Sequence, residues 1–148
     1  MLKLIAPAQM RAQEARYFER SNVKSIDAME RAATALARAV SRDFTPGARI
    51  YCVCGTGGNG GDGTACARRL KGRYDLIILQ PKPPRTPDAI ENLRRARECG
   101  IVTLESADGL PEPDVWVDAL FGTGLTRAPS GAEAALIDRM NASSARVI

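Results

Sequence analysis

The sequence predicts an α/β fold of three layers, in which helices cover both faces of a doubly wound, mostly parallel, Rossmann-like sheet. Short apolar runs alternate with segments of helical periodicity from residue 48 onward, and this alternation is typical of βαβ units. Two further helical segments precede the first strand, and glycine-bearing turns follow two of the predicted strands. The 148 residues have the length of one domain, so we treat residues 1–148 as a single unit.

The elements follow one another along the chain first as two helices and then as alternating strands and helices. Apolar residues between Ile26 and Val40 recur at helical spacing, and Ser25 can cap that helix. The predicted helices are residues 8–20, 24–42, 64–71, 88–99 and 131–141. The predicted strands are residues 48–54, 74–80, 101–104 and 114–119, and a fifth begins at residue 146.

The most informative feature of the composition is that the chain contains no histidine. This excludes Ser-His and Cys-His nucleophilic sites and every zinc site that uses histidine, so proton transfer has to use Asp, Glu, Lys, Tyr, Cys or water. The net charge is +4, but the basic residues are scattered and only 5% of residues are aromatic. Nucleic-acid binding needs clustered cations and stacking side chains. We therefore expect a small-molecule ligand carrying phosphate, and no nucleic acid.

The four cysteines contain no C-x-x-C pair, and Cys52 and Cys54 alternate so that both point to one face of a predicted strand. We interpret them as small buried side chains of a reduced, cytoplasmic protein rather than as metal or redox ligands. The amino-terminal apolar run is too short for a signal peptide, and the chain has no long apolar span. We expect no membrane association.

Six glycines fall within the nine residues from Gly55 to Gly63, a density that packing alone does not explain. Glycines permit positive φ and let backbone amides approach a ligand, and a helix beginning near Asp62 would aim its N-terminus at the same place. A dinucleotide-binding fingerprint is weakened because the acidic residue expected about twenty positions later is Gln80. A P-loop is disfavoured because Asp62 stands where its lysine would. A third interpretation is a turn specialised by Asn59 and Asp62.

The second glycine-bearing turn follows the fourth predicted strand, so both turns lie at the carboxyl ends of strands, where ligands bind in open parallel sheets. Asp118 lies in or just beyond this strand, where a carboxylate is costly unless it is paired, bonded to loop amides or ligating a cation. Oxygens of Asn59 and Asp118 would suit a hard cation. Simpler roles are open too: a helix N-cap for Asp62, a left-handed turn for Asn59 and a solvated surface position for Arg127.

Two long stretches, VCGTGGNGGDGTACARRL at residues 53–70 and VDALFGTGLTRAPSG at residues 117–131, carry a family resemblance. Together they resemble the YjeF N-terminal domain family, the NAD(P)H-hydrate epimerases, whose animal relatives include the apolipoprotein A-I binding protein. The segment from Met29 to Ala33 is similar to the family's Met-Glu-Asn-Ala-Gly. The resemblance runs along the whole chain.

The resemblance implies an isomerase that interconverts the R and S epimers of C6-hydrated NADH and NADPH. It implies potassium as the cofactor, with Asn59 and Asp118 as metal ligands. It also implies a homodimer, and a companion ADP/ATP-dependent dehydratase that is fused or separate. The substrate-binding residues it implies are Gly58, Asn59, Gly60, Gly61, Asp62, Gly122, Thr123, Gly124, Leu125, Thr126, Arg127 and Ala128.

Two departures from the family pattern affect these expectations. Gly58 stands where the family has the first asparagine of Asn-Asn-Gly-Gly-Asp. The family's next segment, Asp-Ile-Pro-Ser-Gly-Leu, would follow the strand that begins at Arg146, so we expect a domain that is incomplete at its carboxyl end and leave the catalytic carboxylate unassigned. Two alternatives stay open: a non-catalytic nucleotide- or protein-binding module on the same fold, and an ordinary NAD-dependent dehydrogenase, which Gln80 disfavours.

Overall fold

A five-stranded parallel sheet organises the computed structural model, which describes residues 5–148. The strands are β1 (Arg49–Cys54), β2 (Asp75–Leu79), β3 (Val102–Leu104), β4 (Val115–Ala119) and β5 (Arg146–Val147). They lie in the order β3-β2-β1-β4-β5, and all four pairings are parallel. The predicted α/β class is thereby confirmed.

Five helices surround this sheet. They are α1 (Pro7–Ser21), α2 (Ser25–Asp43), α3 (Gly58–Leu70), α4 (Pro87–Glu98) and α5 (Ala132–Ala142). No helix among the described residues is long and apolar enough to cross a membrane.

The two apolar clusters of the core lie on opposite faces of the sheet. One face buries Ala33 of α2, Ala65 of α3 and Leu93 of α4, together with Cys52 and Cys54 of β1. On the other face, α5 packs against Tyr51 and Trp116, whose rings meet edge to face at 5.4 Å. From β1 the chain moves to β2 and β3, and it then returns past β1 to β4 and β5. Because the crossovers are right-handed, helices formed after this reversal of direction lie on the opposite face of the sheet. The expected three layers are present.

Alternation within β1 sets which residues reach each layer. Cys52 and Cys54 point to the α3 face as predicted, and Tyr51 and Val53 point to the α5 face. Burial raises the pKa of the Cys54 thiol to about 12. The interpretation of the four cysteines as small buried side chains is confirmed for Cys52, Cys54 and Cys66, and it was wrong for Cys99, which is exposed just after the last turn of α4.

The predicted elements are found, with boundary shifts that have local causes. Gly100 has a φ of +72°, and its N–H donates to the carbonyl of Arg97, which ends α4 as predicted. Ser25 is not a cap, because Lys24 occupies that position without a capping side chain. The largest shift is in α3, which begins at Gly58 rather than at residue 64. Residues 58–63 of the glycine-rich segment therefore form the first turns of a helix, and only residues 55–57 lie in the turn before it.

Candidate functional site

A cleft of about 590 Å³ opens at the carboxyl end of the sheet, between the first turn of α3 and the segment that follows β4. The register of the strands creates it, because Val53 of β1 lies beside both Leu79 of β2 and Asp118 of β4, so the three strands end together. The residues that line the cleft are Glu14, Thr56, Gly57, Gly58, Asn59, Asp62, Arg85, Leu120, Phe121, Gly122, Thr123, Gly124, Leu125, Thr126, Arg127 and Glu133.

Close approach of backbones explains the glycines of α3 that face the sheet. A Cβ built on Gly60 would lie 1.9 Å from the carbonyl oxygen of Gly55, and one on Gly55 would lie 1.8 Å from the carbonyl oxygen of Leu120. A Cβ on Gly63 would lie 2.4 Å from the Cβ of Ala119. None of these glycines has a positive φ. The predicted need for positive φ was wrong, and so was the expectation that packing does not explain these glycines. The approach of backbone amides to a ligand stays a prediction.

The N-terminus of α3 points its free amides at the cleft. Gly57 is the N-cap, and it leaves the first N–H groups without a capping side chain. The earliest amide with a helical partner is that of Gly61, which donates to the carbonyl of Gly57 at 3.1 Å. Unsatisfied amides and the helix dipole make such an end favourable for an anion. Gly58 is exposed, and a Cβ there would have no neighbour within 4 Å.

Asn59 joins the two halves of the cleft. Its side-chain Nδ2 donates to the carbonyl oxygen of Phe121 at 2.9 Å, which ties the first turn of α3 to the segment after β4. The next residue of that segment, Gly122, lies close enough that a Cβ on it would be 3.4 Å from the Cβ of Asn59. Asn59 is helical, since the only described non-glycine residue with a positive φ is Asn22. The left-handed turn offered for Asn59 was therefore wrong.

Asp62 lies in the second turn of α3, so the helix N-cap offered for it was also wrong. Its half-buried carboxyl lines the cleft, and burial followed by the nearby negative charge of Glu14 raises its pKa to about 6. Glu14 comes from α1, which places the N-terminal arm beside the site. A carboxyl with a pKa this close to neutrality can both donate and accept a proton under physiological conditions.

A nearly buried carboxylate, Glu133, links two of the segments that bound the cleft. It lies in the first turn of α5 and is 4% exposed. Lys82 Nζ lies 2.7 Å from Glu133 Oε2, and Arg127 Nη2 lies 3.0 Å from the same oxygen. The hydrogen bond from Lys82, with the one from Arg127, holds the pKa of Glu133 below its ordinary value. Arg127 is therefore paired with Glu133, and it is also an exposed surface arginine, as the simpler interpretation expected.

Asp118 is exposed and does not line the cleft. Its Oδ1 accepts a hydrogen bond from the backbone N–H of Leu120 at 3.0 Å. The bond to a loop amide, which the sequence left open, is thus present. Leu120 and Phe121 connect Asp118 to Asn59, because Asp118 holds the amide of the first residue and Asn59 holds the carbonyl of the second. The described residues contain no cluster of three or more Cys, Asp or Glu side chains suited to a metal.

The structure brings together most of the substrate-binding residues that the sequence predicted. Nine of them line the cleft: Gly58, Asn59, Asp62, Gly122, Thr123, Gly124, Leu125, Thr126 and Arg127. Three do not. Gly60 and Gly61 are buried within α3, where they serve helix packing, and Ala128 is exposed beyond the cleft.

Several residues of the cleft were not predicted. Glu14 and Glu133 reach it from α1 and α5, and no local pattern signals this, because only the tertiary packing of those helices places them there. Arg85 could have been found, since it follows the end of β2 and the carboxyl ends of parallel strands share one edge.

The chain is similar in sequence to a known protein family. The profile described as YjeF-related protein N-terminus matches residues 25–148. The NAD(P)H-hydrate epimerase of Limosilactobacillus fermentum is 33% identical over 149 aligned positions, which cover 97% of this chain and 71% of that protein. The bifunctional NAD(P)H-hydrate repair enzyme Nnr of Helicobacter pylori is 37% identical over 99 aligned positions, which cover 64% of this chain. The match spans 21% of that bifunctional enzyme.

The fold also matches a solved structure. The crystal structure of yeast ynu0, YNL200c, superimposes with a TM-score of 0.85 at 21% sequence identity. The match covers 99% of this chain and 68% of the yeast chain. At this identity the likeness supports the three-layer parallel architecture, and it carries no argument about the site.

Proposed function

The chain belongs to the family of YjeF-related protein N-termini, and we propose that its cleft binds C6-hydrated NADH or NADPH and interconverts their R and S epimers. The observation that carries the proposal is the meeting of the first turn of α3 with the segment after β4 around one cleft. Relatives whose names specify NAD(P)H-hydrate epimerase align along nearly the whole chain. The cleft lies at the edge where doubly wound sheets bind nucleotides.

The amides at the start of α3 would hold the phosphates of the dinucleotide, because no side chain of the described residues caps this end. The segment from Gly122 to Arg127 would cover the nicotinamide end. It is fixed in place by Asn59 at one side and by the pair of Arg127 with Glu133 at the other.

Three carboxyl groups line the cleft, and Asp62 is the one best suited to proton transfer. Glu133 is held ionised by Lys82 and Arg127. Glu14 is exposed on α1. Asp62 is half-buried, has a pKa of about 6 and has no ion pair with a described residue, so its protonated form is present near neutral pH. A general acid is most effective when its pKa lies near the working pH.

The reaction needs no net proton and no oxidant. Asp62 would donate its proton to the C6 hydroxyl, the C6–O bond would break to release water, and the ring nitrogen would supply the electron pair for a C6=N bond. Water would then add to the opposite face of C6 and release its extra proton to solvent, and the Asp62 carboxylate would regain a proton from solvent. The histidine-free composition is compatible with this route, because one carboxyl and water suffice.

A chiral separation of the epimers tests the proposal directly. The purified protein should convert R-NADPHX to S-NADPHX faster than buffer alone does. Asp62→Asn should lower kcat by about 10²- to 10⁴-fold with little change in KM. Binding without conversion by the wild type would overturn the enzymatic reading and favour the non-catalytic binding module. Full activity in Asp62→Asn would instead remove Asp62 from the chemistry.

We also propose a potassium ion next to the cleft, held by Asn59, which lines the cleft, and by Asp118, which lies just outside it. The donor set fits. Because Nδ2 of Asn59 donates to Phe121, its Oδ1 remains for a cation, and Asp118 has an exposed carboxylate with one oxygen beyond the bond to Leu120. These are hard oxygen ligands, and one is charged. A bound potassium ion would supply a fixed positive charge beside the phosphates.

Thermal unfolding in matched KCl and NaCl tests the potassium site without an activity assay. At a potassium concentration ten times the dissociation constant, the melting temperature should be about 3 °C higher in KCl. Asp118→Asn should abolish the difference, while the exposed Asp108→Asn should retain it. Equal melting temperatures in the two salts would refute the site.

The names of the relatives indicate which other enzyme acts together with this protein. Because several relatives are named as bifunctional repair enzymes, we propose that an ADP/ATP-dependent dehydratase, fused or separate, consumes the S epimer. We further propose a homodimer in the cytoplasm, where free buried cysteines stay reduced. Light scattering of the purified protein tests the oligomeric state.

A further inference from the structure

The segment after β2, residues 80–86, bounds the cleft on the side away from β4, and it carries a guanidinium that the reaction above does not use. We propose that Arg85 is a specificity-determining residue that binds the 2′-phosphate on the adenosine ribose, so that the protein prefers hydrated NADPH to hydrated NADH. The inference rests on the proposed function, since it names which form of that substrate the same cleft favours.

The backbone of Arg85 is fixed to the phosphate-binding end of the cleft. Its N–H donates to the carbonyl oxygen of Thr56 at 2.7 Å, and Thr56 immediately precedes the N-cap of α3. The side chain of Arg85 lines the cleft and is exposed. If the pyrophosphate of a ligand lies on the amides at the start of α3, the part of the ligand that extends toward β2 therefore lies near Arg85.

Arg85 is distinguished from the other nearby cations by its lack of a carboxylate partner. Lys82 and Arg127 both pair with Glu133, and Glu133 would be left nearly buried and uncompensated if both turned to a ligand. Arg85 makes no ion pair with any described residue, so it can meet an incoming phosphate without breaking a contact. A planar guanidinium matches a phosphate with two parallel hydrogen bonds.

The end of β2 also lacks the group that would select the unphosphorylated ribose. In doubly wound sheets an acidic side chain at this position accepts the ribose hydroxyls and repels a 2′-phosphate. Here the position is Gln80, whose Nε2 lies 2.9, 3.1 and 2.7 Å from the carbonyl oxygens of Cys54, Gly55 and Lys82, which share its two N–H donors. The side-chain amide of Gln80 is therefore engaged in hydrogen bonds to the backbone. The acidic residues Glu14 and Asp62, which line the cleft, lie on α1 and α3 and not at the end of β2.

Two ligands that differ only in the 2′-phosphate test the inference by calorimetry. The purified wild-type protein should bind adenosine 2′,5′-bisphosphate at least ten-fold more tightly than adenosine 5′-monophosphate, since a charge-assisted pair contributes about 1.5–3 kcal/mol. Arg85→Ala should remove this difference while leaving the affinity for the monophosphate unchanged. Arg85→Lys should keep part of it. The control Arg38→Ala removes an exposed arginine of α2 and should keep all of it.

Equal affinities for the two ligands in the wild type would overturn the inference. So would an equal loss for both ligands in Arg85→Ala, because that result would place Arg85 on the 5′-phosphate. In the epimerase assay, the ratio of kcat/KM for NADPHX to that for NADHX should fall about ten-fold in Arg85→Ala. If neither hydrate is epimerised while the calorimetric difference persists, the proposed function fails and the assignment of Arg85 stands.

Discussion

Asn59 Nδ2 donates a hydrogen bond to the carbonyl oxygen of Phe121 at 2.9 Å across the mouth of the cleft. These residues are distant in sequence and belong to different βα units, so this contact fixes the position of one glycine-bearing segment relative to the other. The segment from Gly122 to Arg127 is otherwise exposed. Its order therefore depends on Asn59 at one end and on the pair of Arg127 with Glu133 at the other.

Removal of this contact should loosen the segment without unfolding the domain. In Asn59→Ala, the amide of Leu120, which donates to Asp118 just before this segment, should exchange with deuterium about five-fold faster, since a hydrogen bond of this kind contributes about 1 kcal/mol. Mass spectrometry of the exchanged protein measures this. Asn141→Ala, an exposed position on α5, serves as the control. Unchanged exchange in Asn59→Ala would mean that the segment is held by other contacts.

The neighbouring glycines of α3 should respond oppositely to the same substitution. Gly60→Ala places a Cβ 1.9 Å from the carbonyl oxygen of Gly55, which is backbone and cannot move aside. We expect a loss of about 3 kcal/mol or more in the free energy of unfolding. Gly58→Ala meets nothing within 4 Å and should be neutral or stabilising by up to about 1 kcal/mol. Urea denaturation measures the free energy of unfolding of both variants. Similar losses of stability in the two would refute the argument from close approach.

Gly58 also offers a test of the departure from the family pattern. Because the space beside it is open, Gly58→Asn should fold as well as the wild type and should not raise KM for the hydrated substrate. A large loss of stability would show that Gly58 serves packing in this chain.

The pairing of Glu133 with Lys82 and Arg127 should stabilise the fold at neutral pH. Its lowered pKa means that this contribution is complete above the ordinary value of 4.5 and is lost as the pH falls through the lower, folded value. Glu133→Gln should cost about 1–2 kcal/mol at pH 7, because both cations are partly exposed and can be rehydrated. The exposed Glu105→Gln is the control. A cost that stays constant down to pH 3 would contradict the assignment.

Asp62 should show the opposite dependence on pH. Folding raises the pKa of its carboxyl from 3.8 to about 6, so the charged form destabilises the native state above pH 6, and this penalty fades as the pH falls toward 4. Asp62→Asn should therefore be more stable than the wild type at pH 8, by an amount that shrinks at pH 5. Denaturant titrations at the two pH values measure this. Glu14→Gln should lower the apparent pKa of Asp62 in an NMR titration, and no change would exclude their coupling.

The order of elements was predictable from the sequence because apolar periodicity reflects burial directly. Strands such as Ile50–Cys54 and Val115–Val117 are buried on both faces, and their continuous apolar runs indicate this. The start of α3 was not predictable from propensity, since glycine is unfavourable in helices. The helix fits there because Gly60 lies against the carbonyl of Gly55, Gly63 lies against Ala119 of β4, and Gly55 lies against the carbonyl of Leu120.

The site was predictable where its residues follow the ends of strands and not where they come from distant helices. Asn59 and Arg127 could be placed at one edge of the sheet from the parallel topology alone. Glu133 could not be placed there, because its role depends on ion pairs with Lys82 and Arg127, which lie on separate segments of the chain. The exposure of Asp118 was also not predictable, because the apolar residues on either side of it in β4 do not indicate which position of the strand is in contact with solvent.

The helix that carries Glu14 has a consequence for how a ligand enters. α1 contributes Glu14 to the cleft, yet it has no fully buried residue, whereas α3 and β4 are anchored in the core. An element that buries little separates from its neighbours at low free energy. Of the elements that bound the cleft, α1 is therefore the one that can move aside at the lowest free energy when a ligand enters.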